Sequence, residues 1–334
     1  MVSLGGALAL CGCATQGERS PWPGSAATHP GHGPGHLSIA ADTAALPLNL
    51  LIAQRDDRLI AVTPRGQIVW REHQADPGQV FVSRTGRTLV IAEPQADVVV
   101  LRRVDNGLVS FFVGRRHDPG SARDRLDDPL TASETARGDI AIADSGNCRV
   151  LLVSPESRRP PRTLGEAGVC THSSRPLRFS YPAAALPASG GELVVTETRP
   201  ARVDIVGGNG RLLRSVAVRG FSAPSDASEF NADAIIVADR TDPGRIEELD
   251  ARSGGVIWSY ARGAGPGALN DPSLASVLPD GDVLAVDSGN DRVVVIDRLS
   301  KAIVWQYGHT SVAGRRPGYL DDPGSATLVP LGGS

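Results

Sequence analysis

The sequence predicts an all-β protein in which a four-stranded unit is repeated six times around a closed ring. Three observations lead to this prediction: a twelve-residue segment that occurs twice, an apolar run that recurs along the chain and ends in a polar residue, and a proline that recurs at a nearly constant spacing. Self-similarity at a fixed period is the signature of a repeat architecture.

The duplicated segment reads VDSGNDRVVVID at 286–297 and ADSGNCRVLLVS at 143–154. It belongs to a series of six apolar runs, LLIAQ (50–54), LVIAE (89–93), IAIAD (140–144), LVVTE (193–197), IIVAD (235–239) and VLAVD (283–287). A turn and a second β-branched run follow each copy, opened by Arg58, Arg149, Arg202, Arg245 and Arg292, with Val98 as the exception. Short apolar runs separated by Gly, Asn, Asp and Pro turns predict strands.

The last unit shows the complete repeat. PSLASVL (272–278) predicts strand a, VLAVD strand b, RVVVI (292–296) strand c and AIVWQY (302–307) strand d. The proline that opens strand a recurs at Pro77, Pro129, Pro182, Pro224, Pro272 and Pro323. The C-terminus supplies only a strand a, and residues 46–73 supply only strands b, c and d. Pairing the two ends closes the ring and removes the sheet edges, which predicts a six-bladed β-propeller of four-stranded antiparallel blades.

Composition agrees with this fold and limits the partners. The chain has 334 residues, 41% of them apolar and only 4% aromatic, so the core is expected to consist of Val, Leu, Ile and Ala. The net charge is -3, and because nucleic-acid binding needs a basic surface, nucleic acid is not an expected partner.

The first 45 residues predict an export signal and a tether. The apolar stretch VSLGGALAL runs into LCGC (10–13), which resembles a bacterial lipobox, with Cys13 as the residue that the resemblance implies is lipidated. No Lys or Arg precedes the stretch, and a frayed N-terminus of a cytosolic protein is the alternative. Residues 14–45 are rich in Gly, Pro and His and predict a flexible tether to the propeller at 46–334.

Strand b ending in Asp, followed by Gly-Asn, Arg and an apolar strand, resembles the NHL repeat. The resemblance covers residues 46–334, is strong in units three and six and is weak in unit four, TETRPARVDIV (196–206). A second segment, LDARSGGVIW (249–258), is similar to repeats of pyrroloquinoline-quinone propellers. The NHL resemblance is the one that we favour. Because the acid and the Arg recur in most units, we assign them to the scaffold and look for function where the units differ.

The residue before the strand-a proline is one such difference. It is Asp76, Asp128, Tyr181, Ala223, Asp271 and Asp322 in turn. In ring order the four aspartates belong to blades six, one, two and three, so they form a contiguous arc at the channel mouth, which we call the acidic half-rim. Like charges at a narrow opening favour a bound cation or a cationic ligand. The alternative is turn chemistry, since Asp before Pro is a common turn initiator.

Histidines are expected on the same side of the ring. His309, His73, His117 and His172 lie in the d-to-a loops that enter blades one to four. The predicted ligand-binding set is His73, Asp76, His117, Asp128, Tyr181, Asp271, His309 and Asp322. Within it, His117, Asp128, His309 and Asp322 are candidate ligands for calcium or zinc. The alternative is that these histidines are merely solvated.

Two cysteines remain for the folded domain once Cys11 is lost with the leader and Cys13 is lipidated. Cys148 and Cys170 are therefore predicted to form a disulfide in an oxidising compartment, with two separate thiols as the alternative.

Two classes of function fit these patterns. The first is an exported, lipid-anchored, monomeric propeller of the cell envelope that binds a small molecule, a polysaccharide or a partner protein on its channel face. The second is a lyase or hydrolase that uses a metal at the half-rim, because some NHL-type propellers are zinc- and calcium-dependent lyases. A quinone-binding-like propeller is a further alternative. Binding is favoured because the sequence carries no nucleophile elbow and no HExxH motif.

Overall fold

The described residues, 48–157 and 159–329, form six four-stranded antiparallel sheets and one short two-stranded sheet. This computed structural model confirms the predicted all-β, six-bladed propeller.

The strands follow one another blade by blade. Blade 1 contains β1 (Asn49–Gln54), β2 (Arg58–Val62) and β3 (Ile68–His73), and blade 2 contains β4 (Val80–Val82), β5 (Thr88–Glu93), β6 (Val98–Arg103) and β7 (Val109–Gly114). Blade 3 contains β8 (Pro129–Glu134), β9 (Ile140–Asp144), β10 (Arg149–Val153) and β11 (Arg162–Leu164). A hairpin of β12 (Ser173–Ser174) and β13 (Leu177–Arg178) leads to blade 4, with β14 (Pro182–Pro187), β15 (Leu193–Thr198), β16 (Ala201–Val206) and β17 (Leu212–Ala217). Blade 5 contains β18 (Ser228–Asn231), β19 (Ala234–Asp239), β20 (Arg245–Asp250) and β21 (Val256–Ala261), and blade 6 contains β22 (Pro272–Val277), β23 (Val283–Asp287), β24 (Arg292–Ile296) and β25 (Ile303–Gly308).

The ring closes as the sequence predicts. The last strand, β26 (Pro323–Val329), pairs antiparallel with β1 and completes blade 1. Leu50 lies opposite Leu328 in this ladder. Both ends of the described chain are therefore held in one sheet, and β1 is paired on both sides, by β26 and by β2.

The core consists of six apolar clusters, each between two neighbouring blades. Val194 of blade 4 and Ile235 of blade 5, for example, belong to one cluster and are fully buried. Burying one such side chain contributes about 1.5–3 kcal/mol. The β-branched runs read from the sequence thus supply the contacts between blades.

The recurrent proline opens strand a in four blades rather than in six. It is the first residue of β8, β14, β22 and β26, whereas β4 begins at Val80, after Pro77, and β18 begins at Ser228, after Pro224. In blade 6 the register shifts immediately after the proline, since Pro272 pairs with Asp287 and Leu274 with Val286. Proline cannot donate a ladder hydrogen bond, and a bulge accommodates it.

The antiparallel order places the b-to-c turns and the d-to-a loops of every blade at one end of the ring. The strand-a residues and these turns surround the central channel there. Within residues 48–157 and 159–329, no helix is long and apolar enough to cross a membrane.

Candidate functional site

The central channel opens into a cavity of about 180 Å³ on the face that carries the b-to-c turns and the d-to-a loops. Every blade contributes a residue to its wall, in ring order Gly324, Gln79, Leu130, Ala183, Asp226 and Ser273. We call this cavity, together with the residues before the strand-a prolines, the channel mouth.

Asp226 is the buried carboxyl group of the channel mouth. Its side-chain oxygen accepts a hydrogen bond from the amide of Gln79, which belongs to blade 2. Burial raises the pKa of Asp226 to about 7, although Gln79 and the Arg240 guanidinium act to lower it. The carbonyl oxygen Oε1 of Gln79 is buried and has no hydrogen-bond partner. The channel therefore holds a carboxyl group that gains or loses its proton near neutrality, beside an acceptor that lacks a donor.

The five predicted residues that precede a strand-a proline share an unusual backbone conformation. Asp76, Asp128, Tyr181, Asp271 and Asp322 have φ values of 39°, 50°, 53°, 49° and 44°. Asp tolerates this left-handed region better than most residues other than Gly and Asn. Backbone conformation alone thus accounts for part of the aspartate pattern.

Arginines neutralise two members of the acidic half-rim. Arg240 donates to both carboxylate oxygens of Asp271, at 2.9 and 2.7 Å, and Arg55 lies 3.5 Å from Asp322. Across the ring, Arg199 stacks on the ring of Tyr181 at 5.5 Å. The arginines that contact Asp322, Tyr181 and Asp271 therefore belong to blades 1, 4 and 5.

The other two aspartates of the half-rim have no arginine partner among the described contacts. One side-chain oxygen of Asp76 is buried without a hydrogen bond. Burial and the carboxylates of Asp127 and Asp97 raise the pKa of Asp128. The negative charge of the channel mouth is thus least compensated at blades 2 and 3.

An aspartate in the preceding blade holds each of three half-rim residues. Asp57, Asp97 and Asp291 occupy the left-handed position of a b-to-c turn, and their side chains accept the backbone N–H of Asp76, Asp128 and Asp322 at 2.7, 3.3 and 3.0 Å. In blade 3 the corresponding turn residue is Cys148, which forms a disulfide with Cys170 in the loop that leads to blade 4. The predicted disulfide is confirmed, and it stands where other blades use a hydrogen bond.

The duplicated segment forms a scaffold network within the blade. Arg149 Nε donates to Asp144 at 2.6 Å, and Arg292 Nε donates to Asp287 at 2.7 Å. A side chain at Gly146 would collide with Asp127, 2.5 Å away, which explains the glycine of this turn. The recurrent acid and arginine are therefore structural in these two blades.

The remaining histidines are dispersed. His73 ends β3, and His117 follows the end of β7 and donates its backbone N–H to the carbonyl oxygen of Ala96. The His309 ring lies 4.1 Å from the Tyr319 ring. These positions do not bring the histidines together with the half-rim carboxylates into a set of three close ligand atoms. The calcium or zinc site predicted at His117, Asp128, His309 and Asp322 stays a prediction.

The described residues contain one set of at least three His, Cys, Asp or Glu ligand atoms within 4.8 Å of one another: His172, Glu197 and Asp204. We call it the blade-4 cluster. Burial raises the pKa of Glu197 and of Asp204 to about 7 and lowers that of His172.

Sequence reasoning placed His172 in the right loop but counted Glu197 as scaffold and did not single out Asp204. The available signal was Asp204 itself, because four of the other five blades carry an apolar residue at that position of strand c.

Comparisons with known proteins fit the fold. The family model PQQ_2, described as outer membrane protein assembly factor BamB, matches residues 163–319, which include blades 4 to 6. The segment LDARSGGVIW lies inside this match, whereas the NHL resemblance stays a prediction. A search of curated proteins finds no significant match.

Solved structures of propellers cover most of the chain. A Bacteroides caccae protein of unknown function has 17% identity and a TM-score of 0.57, over 79% of this chain and 97% of that chain. A virginiamycin B lyase from Staphylococcus aureus has 14% identity and a TM-score of 0.54, over 80% and 85%. The WD40 β-propeller domain of Doa1 has 10% identity and a TM-score of 0.56, over 79% and 80%. At these identities the likeness shows the fold, and the chain is a β-propeller similar to proteins of several different functions.

Proposed function

We propose that this protein is an exported, lipid-anchored propeller of the cell envelope that binds a cationic group at its channel mouth. The group is an amine or guanidinium, carried by a small molecule or by a basic side chain of a partner. The observation that carries the proposal is that Asp76 and Asp128, which precede the strand-a prolines of blades 2 and 3, have no arginine partner among the described contacts.

Two further features of the channel mouth support a donor-rich ligand. Gln79 Oε1 is a buried acceptor without a donor, and Asp226 can accept a proton or an N–H. The cavity of about 180 Å³ is too small for most drug-sized ligands, whose pockets are about 300–1,000 Å³, and by its size it admits only the end of a longer chain.

Two observations support export. The lipobox resemblance at Cys13 lies outside the described residues and stays a prediction. The Cys148–Cys170 disulfide is typical of oxidising compartments. The family model that matches residues 163–319 is named after an outer membrane assembly factor.

The experiment is a thermal titration of the full chain with agmatine, which carries an amine and a guanidinium. Succinate serves as the anionic control. We expect agmatine to raise the melting temperature with concentration, and succinate to have no effect. At a hundred times its Kd, agmatine should add about 2.7 kcal/mol to the free energy of unfolding. Asp76→Asn/Asp128→Asn should remove the response, because Asn keeps the left-handed backbone and deletes the charge.

Asp105→Asn is the matched control. This exposed aspartate lies in a c-to-d turn on the opposite face and pairs with Arg103. The variant should respond to agmatine like the wild type. A response that survives in Asp76→Asn/Asp128→Asn, or the absence of any response in the wild type, would overturn the proposal.

The lyase or hydrolase alternative has less support. Its histidines would have to meet the half-rim carboxylates, and His309 instead contacts Tyr319. The similarity to virginiamycin B lyase, at 14% identity, extends to the fold only. The quinone-binding alternative gains no residue-level support from the channel mouth.

A further inference from the structure

The blade-4 cluster gathers three potential metal ligands from two strands and one loop. Glu197 lies in β15 and Asp204 in β16, and His172 lies in the loop from blade 3, two residues after Cys170. His172 Nδ1 is 2.8 Å from Glu197 Oε1 and 3.6 Å from Asp204 Oδ2. Both carboxylates are fully buried, and 15% of the His172 side chain is exposed.

The outer oxygens of both carboxylates are already held by the protein. Glu197 Oε2 accepts the backbone N–H of Ser180, and Asp204 Oδ1 accepts the hydroxyl of Ser215. Hydrogen bonds of this kind fix the orientation of metal-binding carboxylates. Each carboxylate therefore presents its second oxygen toward His172.

One of these inner oxygens lacks a partner. Asp204 Oδ2 is buried and accepts no hydrogen bond. A buried carboxylate oxygen without a donor is costly, and a cation is the ligand that satisfies it best. Asp204 Oδ2 thus lies 3.6 Å from His172 Nδ1 without a hydrogen-bond donor, and a cation bound between the two atoms would satisfy it.

The arginine of blade 4 does not supply that positive group. In blades 3 and 6 the corresponding arginine contacts the strand-b acid directly. In blade 4, Arg202 Nη1 instead donates to Ser215 Oγ at 2.6 Å, and Arg202 Nε has no partner. Two buried carboxylates thus face each other without a direct ion pair to a guanidinium.

We propose that His172 Nδ1, Glu197 Oε1 and Asp204 Oδ2 bind one transition-metal dication of the zinc type, with a water molecule as fourth ligand. Tetrahedral zinc places its N and O ligands about 3.3 Å apart, between the two distances found here. The histidine–glutamate distance must open by about half an ångström to reach this value, and His172 is on a loop. One imidazole with two carboxylates suits zinc better than calcium, which takes six to eight oxygens.

The partial exposure of His172 gives the fourth ligand a path from solvent. A site with three protein ligands and one water is an open site, as in catalytic zinc centres, rather than a closed structural one. The site is separate from the channel mouth, and it does not depend on the proposed function.

The test uses the full chain with His29, His32 and His36 changed to Gln, because these three histidines are close enough in sequence to chelate zinc by themselves. After treatment with EDTA, the protein is dialysed against zinc and analysed for bound metal. We expect one zinc ion per chain, and cobalt(II) in its place should give the visible absorption bands of a low-coordinate site with a nitrogen ligand.

Two variants and two controls decide the assignment. His172→Gln and Asp204→Asn should each weaken zinc binding by more than about 100-fold, since loss of an outer-shell partner alone costs 10- to 100-fold. His309→Gln and Asp128→Asn, which alter the metal site predicted from the sequence instead, should bind zinc like the parent protein. Circular dichroism without metal checks that each variant is folded, and Asp204→Asn carries the test if His172→Gln is not.

Three outcomes would overturn the proposal. They are a parent protein that binds no zinc at micromolar concentration, zinc binding that survives in a folded His172→Gln or Asp204→Asn variant, and an equal loss in His309→Gln. The last outcome would favour the metal site predicted at His117, Asp128, His309 and Asp322.

Discussion

Replacing Asp226 by Asn should make the protein more stable at alkaline pH. The side chain is buried, and its pKa is about 7 in the folded protein, against about 3.9 in an unfolded chain. The protonated form is therefore the one that the fold favours. The stabilisation is complete below pH 4 and is lost as the pH rises to 7, because the unfolded chain releases its proton first.

The size of the effect follows from the two pKa values. Folded and unfolded pKa values of about 7 and 3.9 correspond to roughly 4 kcal/mol at pH 8 and to roughly 1 to 2 kcal/mol at pH 5. Asn mimics the protonated carboxyl group, and its oxygen can still accept the hydrogen bond from Gln79. The free energy of unfolding of Asp226→Asn should thus exceed that of the wild type by these amounts.

Urea unfolding of both proteins at pH 5 and pH 8, followed by tryptophan fluorescence, measures the difference. The gain in the variant should grow with pH. If Asp226→Asn is instead less stable than the wild type by the same amount at both values, Asp226 is ionised in the folded protein and is held by Arg240, and the reasoning fails.

Three further predictions concern the scaffold and the N-terminus. Asp144→Asn should destabilise the protein by about 3–5 kcal/mol in urea unfolding, because it leaves the buried Arg149 without its carboxylate, and an unchanged midpoint would contradict the scaffold role. Cys148→Ser/Cys170→Ser should lower the free energy of unfolding by about 3 kcal/mol, because the disulfide closes a loop of 22 residues. An unchanged melting temperature in calorimetry would contradict this prediction. Cys13→Ala should move the protein from the membrane fraction to the soluble fraction and abolish labelling with palmitate, and unchanged fractionation would refute the lipid anchor.

The fold could be predicted because it is encoded in a period. Six copies of an apolar run give six blades, and the complementary ends of the chain give the closure between β26 and β1. Every blade repeats the information, so a weak copy such as unit four does not change the result. Strand starts were less predictable: Pro77 precedes the first residue of β4, and Pro224, which forms only an isolated bridge with Asp239, precedes the first residue of β18.

The disulfide could be predicted from the number of cysteines that lie outside the predicted leader and lipobox. The blade-4 cluster could not be predicted as a whole, because it joins a loop residue to two strand residues whose side chains meet only in the folded blade. The loop histidine His172 was identified, but Glu197 matched the scaffold pattern, and a polar residue in a buried strand was the one local sign of Asp204.

Three departures from the repeat lie at the boundary between blades 3 and 4. There Cys148 replaces the turn aspartate, Tyr181 replaces the half-rim aspartate, and a β12–β13 hairpin is inserted before blade 4. A hydrogen bond of the kind that links other blades contributes about 1 kcal/mol, whereas a disulfide contributes about 3. The disulfide anchors the loop at Cys170, two residues before His172. An anchored loop helps to hold the His172 side chain against the two buried carboxylates of blade 4. The same boundary thus combines the covalent constraint with the cluster for which we propose a metal, while blades 2 and 3 carry the uncompensated charge of the channel mouth.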